Sequence, residues 1–295
     1  MPKPAAQNPY ATDLHRGAHE GSRYALAMPR RIPLGLIGSQ LGQRAGSSLE
    51  FKDHREYQPG DDLRRIDWAA LARTDKPHVK LYHEEVNPYL DILLDCSASM
   101  ALEDTPKANA AVALSAALAA AARNAGATHQ LITASDGCHP HPNSSADPTH
   151  WQNITFESTT PLGESFAALP PRFRPRSIRV LISDLLFIAD PLTILQSMAR
   201  QAATVVVIQL LAQADTEPPH RGNVRLADAE TGELREVFID AAAQKRYRKA
   251  LAQHQQNWNT AAKQVGASMT TLIADPLLED FDLSNLVQTE ILRAA

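Results

Sequence analysis

The clearest pattern in the chain is a series of short apolar runs that alternate with amphipathic stretches from about residue 89 onward. Four runs are nearly continuous in apolar residues, which is typical of strands buried on both faces of a sheet. They are LDILLD, HQLITAS, RVLISDLL and TVVVIQLL. Three longer segments predict helices instead. They are KANAAVALSAALAAAARN, PLTILQSMARQA and residues 241–265. This alternation predicts an α/β fold with a mostly parallel sheet flanked by helices.

The same pattern divides the chain into three parts. Residues 1–20 are rich in Pro, Ala and polar side chains and are predicted to be a disordered tail. Residues 21–86 predict a small segment of helix and short strands, near SSLEF and HVKLYHE. Residues 87–295 predict the α/β domain, interrupted by a hairpin near 224–238 with its turn at Thr231 and Gly232.

Composition and charge narrow the class of protein. A net charge of -4 gives no overall field that would attract nucleic acid, and only Cys96 and Cys138 could form a disulfide. The first twenty residues lack the apolar stretch of a secretory signal, and no run is long enough to span a membrane. We therefore expect a soluble, cytoplasmic protein that binds no nucleic acid.

Candidate chemistry lies where two predicted strands end. In DCSASM, Asp95 closes an apolar strand and is followed by Ser97 and Ser99, while Asp184 follows the run RVLIS. In parallel α/β sheets, ligands bind beyond the carboxyl ends of the strands. Carboxylate and hydroxyl oxygens are the ligands that Mg²⁺ prefers, so these residues are candidate metal ligands.

Three other interpretations of this loop stay open. Ser97 or Ser99 could simply cap a helix. A metal-dependent phosphohydrolase could use the same carboxylates, although its acid–base chemistry wants a second acid at position 97. The third interpretation is a structural scaffold with a vestigial metal site. A serine hydrolase is not among them, because it would need G-x-S-x-G, which the sequence lacks.

DCSASM, with Thr160 in TTPLGESF and Asp184 in LISDLL, resembles the metal-ion-dependent adhesion site of von Willebrand factor A domains. The resemblance implies a von Willebrand A-like, Rossmann-type fold and a metal site of Asp95, Ser97, Ser99, Thr160 and Asp184. The glycine that often precedes the threonine is Thr159 in this chain, so Thr159 competes with Thr160 for the assignment.

The stretch from EFKDHREYQPGDDLRRIDW to DCSASM, together with RLADAETGELREVFID, resembles the DUF58 family of bacterial and archaeal proteins. In that family, genes often neighbour those of MoxR-type AAA+ ATPases, and no established enzymatic activity comes with it. The resemblance implies a non-enzymatic, metal-dependent adaptor that works with a MoxR-type ATPase or its client. Mg²⁺ is the expected ion, with Mn²⁺ or Ca²⁺ as alternatives, and a partner's acidic side chain would complete its coordination.

The string REYQPGDDLRRIDW concentrates interleaved charges around a Pro-Gly turn. Its acids and bases can satisfy one another, which favours a turn held by ion pairs with Ile66 and Trp68 packed inward. The alternative is a recognition surface, because arginines offer bidentate donors to carboxylates or phosphates. The residues concerned are Arg55, Asp61, Asp62, Arg64, Arg65, Asp67 and Trp68.

Overall fold

The computed structural model describes residues 8–27, 49–58, 66–74, 76–84, 89–217 and 221–295. These fall into two compact units, one of Met1–Ile32 with Pro88–Ala295 and the other of Pro33–Asn87. The helices are α1 Ala11–Gly21, α2 Trp68–Thr74, α3 Lys107–Asn124, α4 Leu162–Ala168, α5 Pro191–Ala199, α6 Gln213–Thr216, α7 Ala241–Val265, α8 Ala274–Asp280 and α9 Ser284–Gln288.

The strands include the apolar runs of the sequence and several shorter pieces. They are β1 Tyr24–Leu26, β2 Leu49–Glu56, β3 His78–Glu84, β4 Tyr89–Asp95, β5 Thr128–Ala134, β6 Cys138–Pro140, β7 Ile178–Ser183, β8 Thr204–Leu211, β9 Gly222–Ala227, β10 Leu234–Ile239, β11 Ser268–Ile273 and β12 Leu292–Ala294.

A six-stranded sheet forms the centre of the larger unit, as far as that unit is described. Its strand order is β11-β8-β7-β4-β5-β6, and every neighbouring pair is parallel except β5 with β6. The fold is therefore the α/β class that the alternating pattern predicts. Both faces of the sheet are covered, which explains why the central strands are apolar at nearly every position.

The two faces of the sheet carry different helices. Leu90, Ile92 and Leu94 of β4 share a core cluster with α3, whereas Leu93 shares the opposite cluster with Leu195 of α5. β4 leads through α3 to β5, and its neighbour β7 leads through α5 to β8. The chain therefore leaves two adjacent strands toward opposite faces, which opens a crevice at their carboxyl ends.

Helix α1 corrects the prediction of a disordered tail for residues 11–20, while residues 1–7 of that tail lie outside the described residues. Residues 11–21 are helical and pack on α3, with Leu14 fully buried. The packing is close because Gly17 and Gly21 lie against the α3 backbone at Ala113 and Ala117. These two glycines, which carry no side chain, therefore let the two helices approach.

Other parts of the larger unit lie outside the sheet. The hairpin near 224–238 forms between β9 and β10, and β1 pairs with β12 near the C-terminus. The segment ITFES, which predicts a strand, forms only a single bridge between Ser158 and Ser97. In the part of the chain described, no helix combines the length and the apolar character needed to cross a bilayer.

The smaller unit contains an antiparallel pair, β2 with β3, and the helix α2. Asp67 caps the start of α2, because its carboxylate accepts hydrogen bonds from the N–H groups of Ala69 and Ala70 at 3.0 and 3.1 Å. Trp68 is 66% exposed, which contradicts the inward packing predicted for this side chain. As the first helical residue, it points away from the face of α2 that buries Ala70.

Candidate functional site

The candidate metal loop begins where β4 ends. Asp95 is 1% exposed and accepts two hydrogen bonds, from the Ser97 N–H to Oδ1 at 3.0 Å and from the Ser183 hydroxyl to Oδ2 at 2.6 Å. The hydroxyls of Ser97 and Ser99 lie 3.1 Å apart. Ser99 stands in a short 3-10 turn, Ala98–Ala101, so the loop turns back at once and gathers its oxygens.

A second loop follows the neighbouring strand β7. Asp184 is buried, and its Oδ1 accepts a hydrogen bond from the Leu186 N–H at 3.0 Å. Leu185 has a left-handed backbone with φ 59° although it is not a glycine and is fully buried. Such a conformation is unfavourable for a branched side chain and is often found at functional sites.

The threonine segment lies beside the first loop. Ser158 forms a parallel bridge with Ser97, and its carbonyl accepts a hydrogen bond from the Ala98 N–H at 2.8 Å. Two residues later, the Thr160 N–H donates to the Ser158 hydroxyl at 3.2 Å, and Thr160 is partly buried while Thr159 is exposed. The backbone thus brings this segment to the same edge as Asp95 and Asp184.

A buried lysine, which no sequence motif marks, also lies in this site. The Nζ of Lys107 is 2.9 Å from Asp184 Oδ2 and 3.1 Å from Asp215 Oδ2, and the lysine is fully buried. Lys107 is the first residue of α3, and Asp215 follows β8. Position at a strand's carboxyl end is a signal that could have identified Asp215, but a lysine at the start of a helix is ordinarily read as solvent-exposed.

The charges of the site depend on these neighbours. Burial, and then the charge of Asp184, raises the pKa of Asp95 to about 6, against hydrogen bonds from Ser183 and Ser97 that lower it. For Lys107, burial lowers the pKa, but the charges and hydrogen bonds of Asp184 and Asp215 outweigh burial and leave its pKa raised. Lys107 is therefore an ammonium at neutral pH.

Asp95 has no comparable cation. Among the described side chains, no Lys, Arg or His lies within ion-pair distance of its carboxylate. In the same described ranges, no group of three or more His, Cys, Asp and Glu side chains is arranged to bind a metal ion. A cation at this edge would therefore depend on serine hydroxyls as well as carboxylates, a donor set that suits hard ions such as Mg²⁺.

The charged motif is only partly described. Asp61, Asp62, Arg64 and Arg65 lie outside the described residues, as does the side chain of Arg55. Asp67 is buried as the cap of α2, and Trp68 is exposed. Neither the ion-paired turn nor the recognition surface is tested by these residues.

Comparison with protein families gives one extended match. The family model described as "Protein of unknown function DUF58" matches residues 53–257. This range runs from β2 into α7 and includes Asp95, Ser97, Ser99, Thr160 and Asp184. It therefore covers every residue of the candidate metal site.

Mycobacterial relatives extend the likeness. The uncharacterized protein Rv1480 of Mycobacterium tuberculosis (strain ATCC 25618 / H37Rv) is 30% identical over 271 residues, which is 85% of this chain and 82% of the relative. The uncharacterized protein MAV169 of Mycobacterium avium is 35% identical over 116 residues, covering 39% of this chain and 67% of the relative.

Solved structures give more distant matches. An aerotolerance-related membrane protein from Bacteroides fragilis NCTC 9343 aligns with a TM-score of 0.36 and 14% identity, over 69% of this chain and 96% of that one. BatB from Bacteroides thetaiotaomicron aligns with a TM-score of 0.33 and 11% identity, over 68% and 99%. The family model matches more than half of the sequence, and the chain belongs to the DUF58 family.

Proposed function

We propose that the protein is a metal-dependent protein-binding adaptor, in which the crevice at the ends of β4 and β7 holds a divalent cation and receives a partner's carboxylate. The observation that carries this proposal is Asp95, a buried carboxylate beside two serine hydroxyls that has no cation among the described side chains. Burying an ionised carboxylate without a counter-charge is costly.

A second aspartate on the same strand provides the contrast. Asp91 is also fully buried, but the Arg174 side chain donates to its Oδ1 at 2.8 Å and the Arg174 backbone N–H donates to its Oδ2 at 2.8 Å. Asp91 therefore has the paired environment that a structural buried carboxylate requires. Asp95, four residues along β4, has only neutral donors, as expected of a position that accommodates a cation.

The residues fit a hard cation in the type of their donor atoms. Asp95, Ser97 and Ser99 would hold the ion, in the manner of a von Willebrand A-like adhesion site. Thr160 would contribute a further oxygen, and Asp184 would do so only where its ion pair with Lys107 opens. Mg²⁺, or Mn²⁺ or Ca²⁺, would supply a coordination position that an incoming carboxylate can complete. The backbone at the ends of β4 and β7 would determine where the ion lies.

Apolar side chains around the crevice also support binding of a protein. Leu102 is exposed on the loop after Ser99, and Leu186 and Ile188 are exposed on the loop after Asp184. Single exposed apolar residues are common on any surface. In this protein, three of them lie on the two loops that flank one charged crevice. Such a mixture of apolar and polar groups resembles that of protein interfaces.

The proposed partner is a MoxR-type AAA+ ATPase, or a client protein that such an ATPase remodels, as the family resemblance implies. The protein would then act in the assembly or activation of other complexes. A phosphohydrolase is less well supported, because Ser97 replaces the second acid and Lys107 is held between two carboxylates and so is not free for proton transfer.

The test is capture of a purified MoxR-type ATPase from the same genome by the immobilised protein, in Mg²⁺ and after chelation with EDTA. We expect capture in Mg²⁺, loss of capture in EDTA, and loss in Asp95→Asn under both conditions. The matched control is Asp136→Asn, because Asp136 is an exposed carboxylate just beyond the end of β5 and should leave capture unchanged.

Equal capture with and without EDTA would contradict the metal-dependent contact. Turnover of a simple phosphate ester that is lost in Asp95→Ala would instead favour the phosphohydrolase. Absence of both binding and turnover would favour a structural scaffold with a vestigial site.

A further inference from the structure

Lys107 places a positive charge inside the crevice that the proposed function assigns to a metal ion. Its ammonium bridges Asp184, after β7, and Asp215, after β8, and both it and Asp184 are about 1% exposed. Asp215 is itself held, since its Oδ2 accepts a hydrogen bond from the Ala212 N–H at 2.8 Å. The ammonium is therefore held between the loop after β7, through Asp184, and the short helix α6, through Asp215.

This location is unfavourable for a lysine in two respects. The first turn of a helix carries the positive end of the helix dipole, which disfavours a cation there. Burial removes the ammonium from water, which its two carboxylate contacts must offset. A solvent-exposed lysine would avoid the cost of burial. The contacts with Asp184 and Asp215 therefore determine the position of Lys107.

Lys107 forms an ion pair with one of the two aspartates at the ends of β4 and β7 but not with the other. The Oδ1 of Asp184 accepts a hydrogen bond from a backbone N–H, and its Oδ2 forms an ion pair with Lys107. Asp95 has no cation among the described side chains. The single charge of Lys107 is shared by Asp184 and Asp215, so the chain itself partly compensates Asp184. Asp95, beside the hydroxyls of Ser97 and Ser99, is the carboxylate at these two strand ends that has no such compensation among the described side chains.

We propose that Lys107 is a built-in cation that withholds Asp184 from the metal and thereby keeps the intrinsic affinity for a divalent ion low. This inference rests on the proposed function, because it presupposes that the Asp95 loop binds metal. Affinity for hard cations rises with the number of carboxylates available, and a fixed positive charge within a few ångströms opposes a second cation. The chain therefore limits its own metal site.

The experiment is calorimetric titration of Mn²⁺ and of Mg²⁺ into the wild-type protein and Lys107→Met. Removing the ammonium frees Asp184, so we expect Lys107→Met to bind the ion at least about tenfold more tightly. Lys107→Arg is the matched control, because it preserves the charge and should retain the wild-type affinity. Adding Asp184→Asn to Lys107→Met should abolish the gain, because the freed carboxylate is then absent.

A further variant guards against misfolding. Lys107→Met leaves two buried carboxylates without their cation, so Lys107→Met/Asp215→Asn removes one acid together with the ammonium and is measured in parallel, with circular dichroism to verify folding. Tighter binding by either folded variant supports the inference. Unchanged affinity in folded variants overturns it while leaving the proposed metal site intact. Failure of every variant and of the wild type to bind either ion overturns both.

Discussion

At the scale of single residues, burial decides which titratable groups affect stability. His129 is 2% exposed, and its Nε2 is 2.8 Å from the carbonyl oxygen of Ala146. Burial lowers the pKa of His129, and the charges of Arg123 and Arg174 lower it further, against the effects of the Ala146 carbonyl and Asp147. The folded protein therefore keeps this imidazole neutral in a pH range where the unfolded chain binds a proton.

This shift predicts a loss of stability in mild acid. Because the pKa of His129 is depressed on folding, its contribution is present above the unfolded value, near 6.5, and is lost as the pH falls below it. Denaturant unfolding between pH 7 and pH 5 should show a smaller pH slope in His129→Gln than in the wild type, by at most about 1.4 kcal/mol per pH unit. His19→Gln, at an exposed position of α1, should keep the wild-type slope. An identical slope in His129→Gln would contradict this role.

The two buried thiols illustrate the same effect. Burial, and then the charge of Asp95, raises the pKa of Cys138 to about 12 and also raises that of Cys96. Neither side chain is a thiolate at neutral pH, and the thiolate is the reactive form. The cysteines of the chain are therefore packing groups of the core.

At the scale of elements, the contact between α1 and α3 depends on two glycines. A Cβ on Gly17 would lie 2.0 Å from the Ala113 carbonyl oxygen, and one on Gly21 would lie 2.3 Å from that of Ala117. No real Cβ tolerates such contacts, and the obstacles are backbone atoms that cannot rotate away. Any larger residue at position 17 must therefore push the two helices apart.

We expect Gly17→Ala to lower the free energy of unfolding by about 1–3 kcal/mol, the usual range for overpacking. Faster amide exchange across residues 11–21 should accompany the loss, since α1 would separate from α3. Thr12→Ser is the control, because Thr12 is exposed on the same helix and its replacement should change stability by less than about 0.5 kcal/mol. Wild-type stability and exchange in Gly17→Ala would show that the close approach is not needed.

The elements that the sequence predicts well are those whose apolar pattern is set by the sheet. α3 and α7 have the predicted bounds, 107–124 and 241–265, and the central strands differ by at most three residues at either end. The pairing of β1 with β12 could not be predicted, because each has three residues and the partners are more than 260 positions apart. ITFES has a strand-like composition, but in the described part of the chain only Ser158 of this segment forms a bridge.

At the scale of the whole molecule, strand order creates the crevice. β4 and β7 are neighbours whose outgoing helices pack on opposite faces, so Asp95 and Asp184 meet although they are 89 positions apart. The rule that ligands bind beyond strand ends predicts this juxtaposition from sequence. It does not predict Lys107, because the identity of a buried ion pair depends on side-chain positions that periodicity does not specify.

The most direct test of the metal site is thermal unfolding of the wild type and Asp95→Asn, without divalent ions and at rising Mg²⁺. Without ions, Asp95→Asn should be the more stable, by on the order of 2 kcal/mol, because a buried charge with a raised pKa has been removed. Mg²⁺ should then raise the melting temperature of the wild type by mass action and leave Asp95→Asn unchanged. Equal Mg²⁺ shifts in the two proteins, or none in either, would contradict a cation site at Asp95.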